Sequence, residues 1–344
     1  TMDTSPPINV ADHVAQLAAY PYGCLEQTVS GLFPHVLLSG ADFAQLGLGT
    51  GKDKETAEKI RLGIQRLVEK QKTSGGFGLW DSRGPEAAWL TAYAVHFLVN
   101  AADAGYEIPQ TAVKRAMERL RVYVRRPTSI PHAGYLQIEP YRAAVRAYAA
   151  FVLARVQALG LGDARSVYQY VVKHGRGALV FVQAGVALSE AGDRQMAVKA
   201  FDQAIKAQRD EGYDGDYGSN IRDFAAAYYY LSTYFPAYKN AALFLFELEG
   251  QLADREWLST QERNALVMAG AIRMHTKGEP WKARVTRGAQ KTDLAHDQSR
   301  QLVFAGGTAA ENFEILNSGT TDLFVHVILS AYPAQKPFPV SHGV

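Results

Sequence analysis

Hydrophobic residues recur with the period of an α-helix over most of this chain. Residues 57–70, 87–101, 143–159 and 179–191 each carry apolar side chains on one or more helical faces. In the first of these segments the apolar face consists of Ile60, Ile64, Leu67 and Val68. The pattern predicts helices of roughly ten to eighteen residues, which continue to about residue 285.

Glycine-rich segments separate the predicted helices, and several helices begin with related sequences. The glycine-rich segments lie at residues 74–80, 132–135 and 212–218. The related helix starts lie at residues 89–93, 141–145, 221–225 and 257–262. A repeated helical hairpin buries one face only when it stacks on its neighbours, so the pattern predicts a solenoid or a closed ring of helices.

The period of the apolar residues changes to two after Trp281. Residues 301–304 and 312–316 are short runs typical of β-strands, and residues 322–331 alternate between two faces. Residues 317–320, Asn-Ser-Gly-Thr, are predicted to form the turn between the last two strands.

This change of period divides the chain into two predicted domains. We predict a mainly α region over residues 1–284 and a β-rich region over residues 285–344, in which an incomplete sheet would leave an exposed edge. A chain of 344 residues that is 47% hydrophobic and 20% charged can form one large core and a smaller module. The chain begins without the basic and apolar regions of a signal peptide and ends directly after strand-like sequence. We therefore expect a fragment of a longer protein.

Composition narrows the possible functions. The net charge of +2 gives no indication of nucleic-acid binding, and no apolar run approaches the ~20 residues that a membrane span needs. The single cysteine cannot form an intrachain disulfide. The sequence contains no H-E-x-x-H, no C-x-x-C and no clustered carboxylates, so we expect neither a metal site nor a cofactor.

The single cysteine lies in the sequence Gly-Cys-Leu-Glu-Gln at residues 23–27. In a helical or turn segment residues i and i+3 share a side, so Cys24 and Gln27 can meet. Attack of the Cys24 sulfur on the Gln27 carboxamide would expel ammonia and leave an internal thioester, which is a stored electrophile. The alternative interpretation of a lone cysteine is a small buried hydrophobic residue.

This motif and the Tyr-Pro-Tyr sequence before it resemble the thioester site of the alpha-2-macroglobulin and complement family, and in particular its bacterial members. Four further segments resemble the same family, and the resemblance covers roughly residues 8–280. It implies that residues 1–284 form an α/α toroid with an inner and an outer layer of helices. It also implies that residues 285–344 are part of an adjoining β domain. The four segments are Gly-Gly-Phe-Gly-Leu-Trp at 75–80, Trp-Leu-Thr-Ala-Tyr at 89–93, Tyr-Gly-Ser-Asn-Ile-Arg-Asp at 217–223 and Trp-Leu-Ser-Thr-Gln-Glu at 257–262.

The resemblance also implies roles for residues near the bond. Tyr20, four residues before Cys24, would cover the thioester, although it could equally be a core aromatic residue. Glu26 could act as a general base, but its position favours a hydrogen-bonding group that holds the loop. His132 is the residue that could relay the acyl group to hydroxyls, and a solvated loop histidine is the simpler interpretation. The helical residues His13, His35 and His96 are expected to be core or surface groups.

The function that the resemblance implies is covalent capture of proteases. The whole protein would be a broad-spectrum periplasmic endopeptidase inhibitor, and members of the family are often inner-membrane lipoproteins. A protease would cleave a bait region in another domain, the thioester would be uncovered, and a lysine of the protease would attack the acyl group of Gln27. The trap works once, so we expect no enzymatic turnover. Its partners would be the target proteases and the other domains of the same protein.

Two other functions remain open. Gly-rich turns before helices are also typical of terpenoid cyclases, which share the toroid and need an acidic motif; the nearest one here is Asp214-Gly215-Asp216. A purely protein-binding module is the second alternative, because residues 179–210 resemble a tetratricopeptide helix pair. A single repeat of that kind does not support a solenoid, so one hairpin of a ring is the simpler interpretation.

Overall fold

The computed structural model describes most of the chain, and contacts divide it into two compact units. One unit is Ile8–Thr276, and the other combines Thr1–Pro7 with Lys277–Val344. The predicted domain boundary after residue 284 stays a prediction. The described residues are 2–3, 8–19, 23–49, 54–134, 137–210, 214–252, 255, 257–276, 280–297, 300, 302–303, 312–321, 323–325 and 327.

Inner helices of the larger unit contact one another in a closed order. Each contacts the next along the ring, and α13 contacts α2 to complete it. Because the last helix returns to the first, the arrangement is a ring of helices and the solenoid is excluded. The inner helices within the described residues are α2 (Leu25–Leu37), α5 (Ala88–Asp103), α7 (Ile138–Arg155), α9 (Ala178–Glu190), α11 (Asn220–Tyr234) and α13 (Thr260–His275).

A second set of helices packs against this ring. Helix α4 contacts α2, α6 contacts α5 and α7, α8 contacts α7 and α9, α10 contacts α9, α12 contacts α11, and α1 contacts both α13 and α2. These helices are α1 (Val10–Ala18), α4 (Lys54–Glu69), α6 (Gln110–Arg125), α8 (Leu161–His174), α10 (Arg194–Lys206) and α12 (Leu243–Leu252). A short helix, α3 (Gly40–Gln45), follows α2. The predicted mainly α fold built from helical hairpins is confirmed.

The sequence explains which helices form which layer. Every residue from Ala88 to Leu98 in α5 and from Ala178 to Leu188 in α9 is buried, so these helices are surrounded by protein on all sides. Helix α6 buries only one stripe and exposes charged residues on the other side, as an amphipathic surface helix does. The pair formed by α9 and α10 is the segment that resembles a tetratricopeptide repeat, and it is one hairpin of the ring.

A buried ionic cluster holds the loop that leads into α11. Asp216 accepts hydrogen bonds from Arg209 Nη2 at 2.5 Å and from Arg222 Nη2 at 2.9 Å, and Arg209 Nε also donates to Asp223 Oδ2 at 2.9 Å. These four side chains are at most 5% exposed. Burial alone would raise the pKa of Asp216, but the two arginines outweigh it and hold that pKa well below its usual range.

The smaller unit contains two small antiparallel sheets in its described part. Strands β2 (Trp281–Arg287), β3 (Gln290–His296) and β4 (Phe313–Asn317) pair in the order β3-β2-β4, and β1 (Met2–Asp3) pairs with β5 (Phe324–Val325). Trp281 lies opposite His296, and Arg287 lies opposite Gln290. Gly288, in the two-residue turn of this hairpin, has a φ of 56°, which glycine adopts without strain.

The predicted strands are partly confirmed. The run at 312–316 is β4, displaced by one residue, and the turn after it is present because Gly319 N–H donates to Asn317 Oδ1 at 3.0 Å. Only Phe324–Val325 is a strand within the predicted segment 322–331, of which residues 322, 326 and 328–331 lie outside the described residues. Residues 301 and 304 also lie outside them, and the two residues between belong to no strand.

The ionic cluster predicts a large effect for an isosteric change. Asp216→Asn should cost about 3–5 kcal/mol of the free energy of unfolding, because it leaves two buried arginines underneutralised. Asp163→Asn, which breaks the exposed pair with Arg125, should cost at most about 1 kcal/mol. Urea unfolding of both variants measures the difference. Because the pKa of Asp216 is depressed in the folded chain, its contribution should be present at neutral pH and fall below about pH 4. Equal losses for the two variants would contradict this account.

Candidate functional site

The motif at residues 23–27 forms the beginning of α2. Cys24 is the N-cap residue, with extended backbone angles, and its Sγ accepts a hydrogen bond from Gln27 N–H at 3.5 Å. Sulfur is a weak acceptor, and serine, threonine or aspartate usually occupies this position. Cys24 is only 5% exposed. The local geometry therefore brings the cysteine sulfur to residue 27, as the spacing predicts.

The side chain of Gln27 carries a buried polar atom. Its Oε1 is shielded from solvent and has no hydrogen-bond partner among the described residues. An unpaired buried carbonyl oxygen costs about 1–3 kcal/mol, so it is rarely kept for stability. The amide that would supply the acyl carbon of a thioester is thus held in a place where water does not stabilise it.

The environment of Cys24 favours the thiol over the thiolate. Burial raises the pKa of Cys24, and the negative charge of Glu26 raises it further. The hydrogen bond from Gln27 N–H and the positive charge of Lys70 act in the opposite direction but do not offset the burial. A free Cys24 would therefore be a slow nucleophile at neutral pH, unlike the exposed, low-pKa cysteines of redox enzymes.

Glu26 is buried and connects α2 to the start of α13. Thr260 Oγ1 lies 2.8 Å from each of its carboxylate oxygens, and Gln261 Nε2 donates to its Oε1 at 2.7 Å. Ser30, one turn further along α2, donates to the same oxygen at 2.7 Å. A carboxylate occupied by these donors holds two helices together. The geometry favours the holding role for Glu26 over that of a general base.

The hydrogen bonds of Glu26 continue into the ring. The hydroxyls of Ser30 and Tyr93 lie 2.8 Å apart, and Asn264 Nδ2 donates to the Tyr93 hydroxyl at 2.8 Å. Burial, together with the nearby charge of Glu26, raises the pKa of Tyr93 far above its usual range. Tyr93 therefore stays neutral and acts as a hydrogen-bonding bridge between α2, α5 and α13.

The glycine-rich segment at 74–80 lies against the motif. Leu79 accepts a hydrogen bond from Leu25 N–H at 2.8 Å, and Lys70 Nζ donates to the carbonyl of Trp80 at 2.7 Å. At Gly78 a Cβ would lie 1.9 Å from the Asp81 carbonyl oxygen, so only glycine fits there. The sequence marks this segment as a break between helices, but nothing in it indicates that the break contacts the first turn of α2.

The other predicted site residues are placed as follows. Tyr20 lies outside the described residues. His132 is exposed, its Nδ1 lies 3.4 Å from the carbonyl oxygen of Ile130, and within the described part of the chain it makes no hydrogen bond to Cys24 or Gln27. Its predicted relay role stays a prediction. His13, His35 and His96 are buried.

Thr260 and Gln261 are residues whose link to the site the sequence did not reveal. Ser259 and Glu262 form a capping box, a recognisable signal that a helix begins at residue 260. That signal places the helix but says nothing about its neighbour, because Glu26 is 234 residues away in the sequence.

The chain is similar to known proteins. A family model described as the A-macroglobulin TED domain matches residues 1–125. The alpha-2-macroglobulin of Escherichia coli strain K12 is 36% identical over 342 residues, which are 98% of this chain and 20% of that protein. The structure of Salmonella alpha-2-macroglobulin reacted with methylamine matches with a TM-score of 0.81 and 33% identity, over 94% of this chain and 21% of that one. The chain belongs to the alpha-2-macroglobulin family.

A further structure in this family is relevant to function. Trypsin-activated alpha-2-macroglobulin from E. coli matches with a TM-score of 0.74 and 34% identity, over 94% of this chain and 22% of that one. The chain therefore spans about one fifth of the length of these alpha-2-macroglobulins and corresponds to their thioester-domain region. Within the described residues no helix is long and apolar enough to cross a membrane.

The geometry also decides against a terpenoid cyclase. Both carboxylates of the proposed acidic motif are buried, and each pairs with arginines. The arginines hold the pKa of Asp216 well below its usual range, so this carboxylate cannot serve as an acid at neutral pH, whereas burial raises the pKa of Asp214. A central cavity of about 20 Å³ lies among five inner helices, between Trp89, Tyr148 and Arg222. This volume admits about one water molecule, whereas small-molecule pockets measure roughly 300–1,000 Å³.

The burial of Cys24 gives a testable pH dependence. Gln27→Ala cannot form a thioester but keeps the backbone N–H that bonds to Cys24, so its thiol should be free. We expect iodoacetamide to alkylate this thiol more slowly in the folded chain than in the chain unfolded in urea. The midpoint of the rate against pH should be higher in the folded chain, because burial raises the pKa of Cys24. Coinciding midpoints would show that the thiol is not buried.

Proposed function

We propose that Cys24 and Gln27 form an internal thioester, and that the whole protein uses it to capture proteases covalently. The observation that carries this proposal is the first turn of α2. There a buried cysteine sulfur accepts a hydrogen bond from Gln27 N–H, and the Gln27 side-chain oxygen is buried with no hydrogen-bond partner among the described residues. The family membership of the chain supports the same chemistry.

Formation of the bond requires no cofactor. The Cys24 sulfur attacks the Gln27 side-chain carbonyl carbon, the carbon–nitrogen bond breaks, and the amide nitrogen leaves as ammonia with the thiol proton. Holding both groups on one turn replaces a bimolecular encounter by an oriented intramolecular one, which can contribute about 7–11 kcal/mol toward the barrier. The apolar, buried setting of Cys24 also keeps water from hydrolysing the product.

In the capture step the acyl group of Gln27 moves from the Cys24 sulfur to a nitrogen of the protease. A lysine amine of the protease attacks the acyl carbon of Gln27, an amide forms, and Cys24 leaves as a thiolate that takes up the released proton. The new amide does not return to a thioester, so each molecule reacts once. We therefore assign an inhibitor that acts by single use and does not turn over.

Relatives indicate the kind of nucleophile and of protease. The Salmonella protein reacts with methylamine, and the E. coli protein is activated by trypsin and by porcine elastase. We propose that this protein likewise reacts with primary amines and responds to several proteases. We also propose a periplasmic location and contacts with the other domains of the full-length protein.

Supporting residues complete the proposal. Glu26 holds the first turn of α2 through the donors described above. Tyr20 would cover the bond against water, and His132 would relay the acyl group to hydroxyls. Contacts in the structure support the role of Glu26. The roles of Tyr20 and His132 rest on the resemblance of the sequence to the family.

The thioester itself can be tested on the 344-residue chain. Freshly purified protein should be lighter than its sequence mass by one ammonia molecule and should offer no thiol to a thiol reagent. Methylamine should then add at residue 27 and release one thiol. Cys24→Ala should abolish both events while keeping the circular dichroism spectrum. Equal labelling by methylamine in Cys24→Ala would place the reaction elsewhere.

Protease capture can be tested on the full-length protein. We expect trypsin to form an adduct that survives boiling in detergent and contains residue 27 joined to a trypsin lysine. Trypsin whose lysines have been reductively dimethylated remains a protease but cannot form a stable amide. It should cleave the protein without forming the adduct, as should native trypsin with the Cys24→Ala variant. An adduct with dimethylated trypsin would contradict lysine capture.

A further inference from the structure

We infer that Thr260 and Gln261, at the start of α13, are positioning residues for the Cys24–Gln27 thioester and act on it through Glu26. This inference rests on the proposed thioester and extends it to residues outside the motif. It also gives the seam between α2 and α13, where the ring of inner helices closes, a role in the lifetime of the bond.

The seam fixes the side chain of Glu26. The Glu26 residue is 4% exposed, and a buried carboxylate is costly unless hydrogen bonds compensate it. Thr260 supplies a hydroxyl to both oxygens, and Gln261 supplies an amide N–H to one of them. Bonds to a charged acceptor are among the stronger hydrogen bonds in proteins. The carboxylate therefore stays where α13 places it.

Glu26 belongs to the covalent ring that a Cys24–Gln27 thioester would form. The bond joins the side chains of residues 24 and 27, so the backbone of Leu25 and Glu26 belongs to the same covalent ring. Fixing the Glu26 side chain limits the rotation of this backbone at the first turn of a helix, where backbone hydrogen bonds are fewest. Restricted rotation favours the closed ring, because less orientational freedom is lost when it forms.

The same contacts keep the Glu26 carboxylate from assisting water. A free carboxylate in the ring could accept a proton from an attacking water molecule and speed hydrolysis. Here its oxygens are occupied by Ser30, Thr260 and Gln261. Loss of a donor from α13 should therefore shorten the life of the thioester through both ring geometry and base assistance.

Two variants of the 344-residue chain remove the donors with little change of shape. Thr260→Val replaces the hydroxyl by a methyl group, and Gln261→Met replaces the amide by an apolar side chain of similar length. Ser39→Ala serves as the control for a general loss of stability, because it removes the capping box of α3 and leaves the seam intact. Melting temperatures place the three variants on one stability scale.

Mass spectrometry of the peptide containing residue 27 follows the fate of the bond over time. Residue 27 appears as a glutamine if no thioester formed, as a glutamate after hydrolysis and as an N-methylamide after methylamine treatment. We expect the thioester to be lost about tenfold faster in Thr260→Val and Gln261→Met than in the wild type, a difference of about 1.4 kcal/mol in the barrier. The rate of thioester loss in Ser39→Ala should stay within about twofold of the wild-type rate, even if its melting temperature falls as far as those of the other two variants.

An exchange of partners separates positioning from stability. Gln261→Glu sets two carboxylates against each other and should shorten the life of the bond. Adding Glu26→Gln restores one donor and one acceptor across the seam and should recover most of the lifetime. Equal lifetimes for both donor variants and Ser39→Ala, or no recovery in the exchanged pair, would overturn the positioning role. A wild-type residue 27 found only as glutamine beside a free thiol would instead refute the thioester, and this inference with it.

Discussion

The closing contact between α13 and α2 is the constraint on which the helical unit depends. The six inner helices could stack as an open array, but only the return of α13 to α2 gives every one of them a neighbour on both sides. A buried carboxylate lies at that contact, and its hydrogen bonds are directional where apolar packing is not. These directional hydrogen bonds therefore fix how α13 and α2 align where the ring of helices closes. They involve Glu26, which is two residues from Cys24.

The proposed reactive pair, Cys24 and Gln27, lies at the start of a helix. The first turn offers backbone N–H groups without partners within the helix, and one of them, that of Gln27, bonds to the Cys24 sulfur. The turn would be loose by itself. Leu79 from the glycine-rich segment accepts the N–H of Leu25, and the start of α13 holds Glu26, so two other parts of the chain fix the turn on either side.

The sequence predicts local features well and long-range contacts poorly. The i, i+3 spacing predicted that Cys24 and residue 27 share a side of the first turn, where the Cys24 sulfur accepts the Gln27 N–H. Apolar periodicity correctly located helices such as α5 and α9. Both features depend on residues near in sequence. The pairing of Glu26 with Gln261 could not be derived from the sequence, since neither residue carries a pattern that identifies a partner 235 residues away. Apolar periodicity also missed β3, whose side chains are mostly polar and exposed, so alternation gave little signal.

Burial of Cys24 affects both the stability and the reactivity of the proposed bond. Excluding solvent keeps water away from the acyl carbon, and the same exclusion raises the pKa of the Cys24 thiol, which makes the sulfur a poorer leaving group. Exposure of the site would reverse both effects together, because water and amines would enter as the departing thiolate became solvated. A single change in solvent access could therefore convert a long-lived acyl group into a reactive one. The geometry of the covalent ring that contains the thioester need not change for that conversion. The hydrogen bonds from α13 to Glu26 could persist while the thioester reacts.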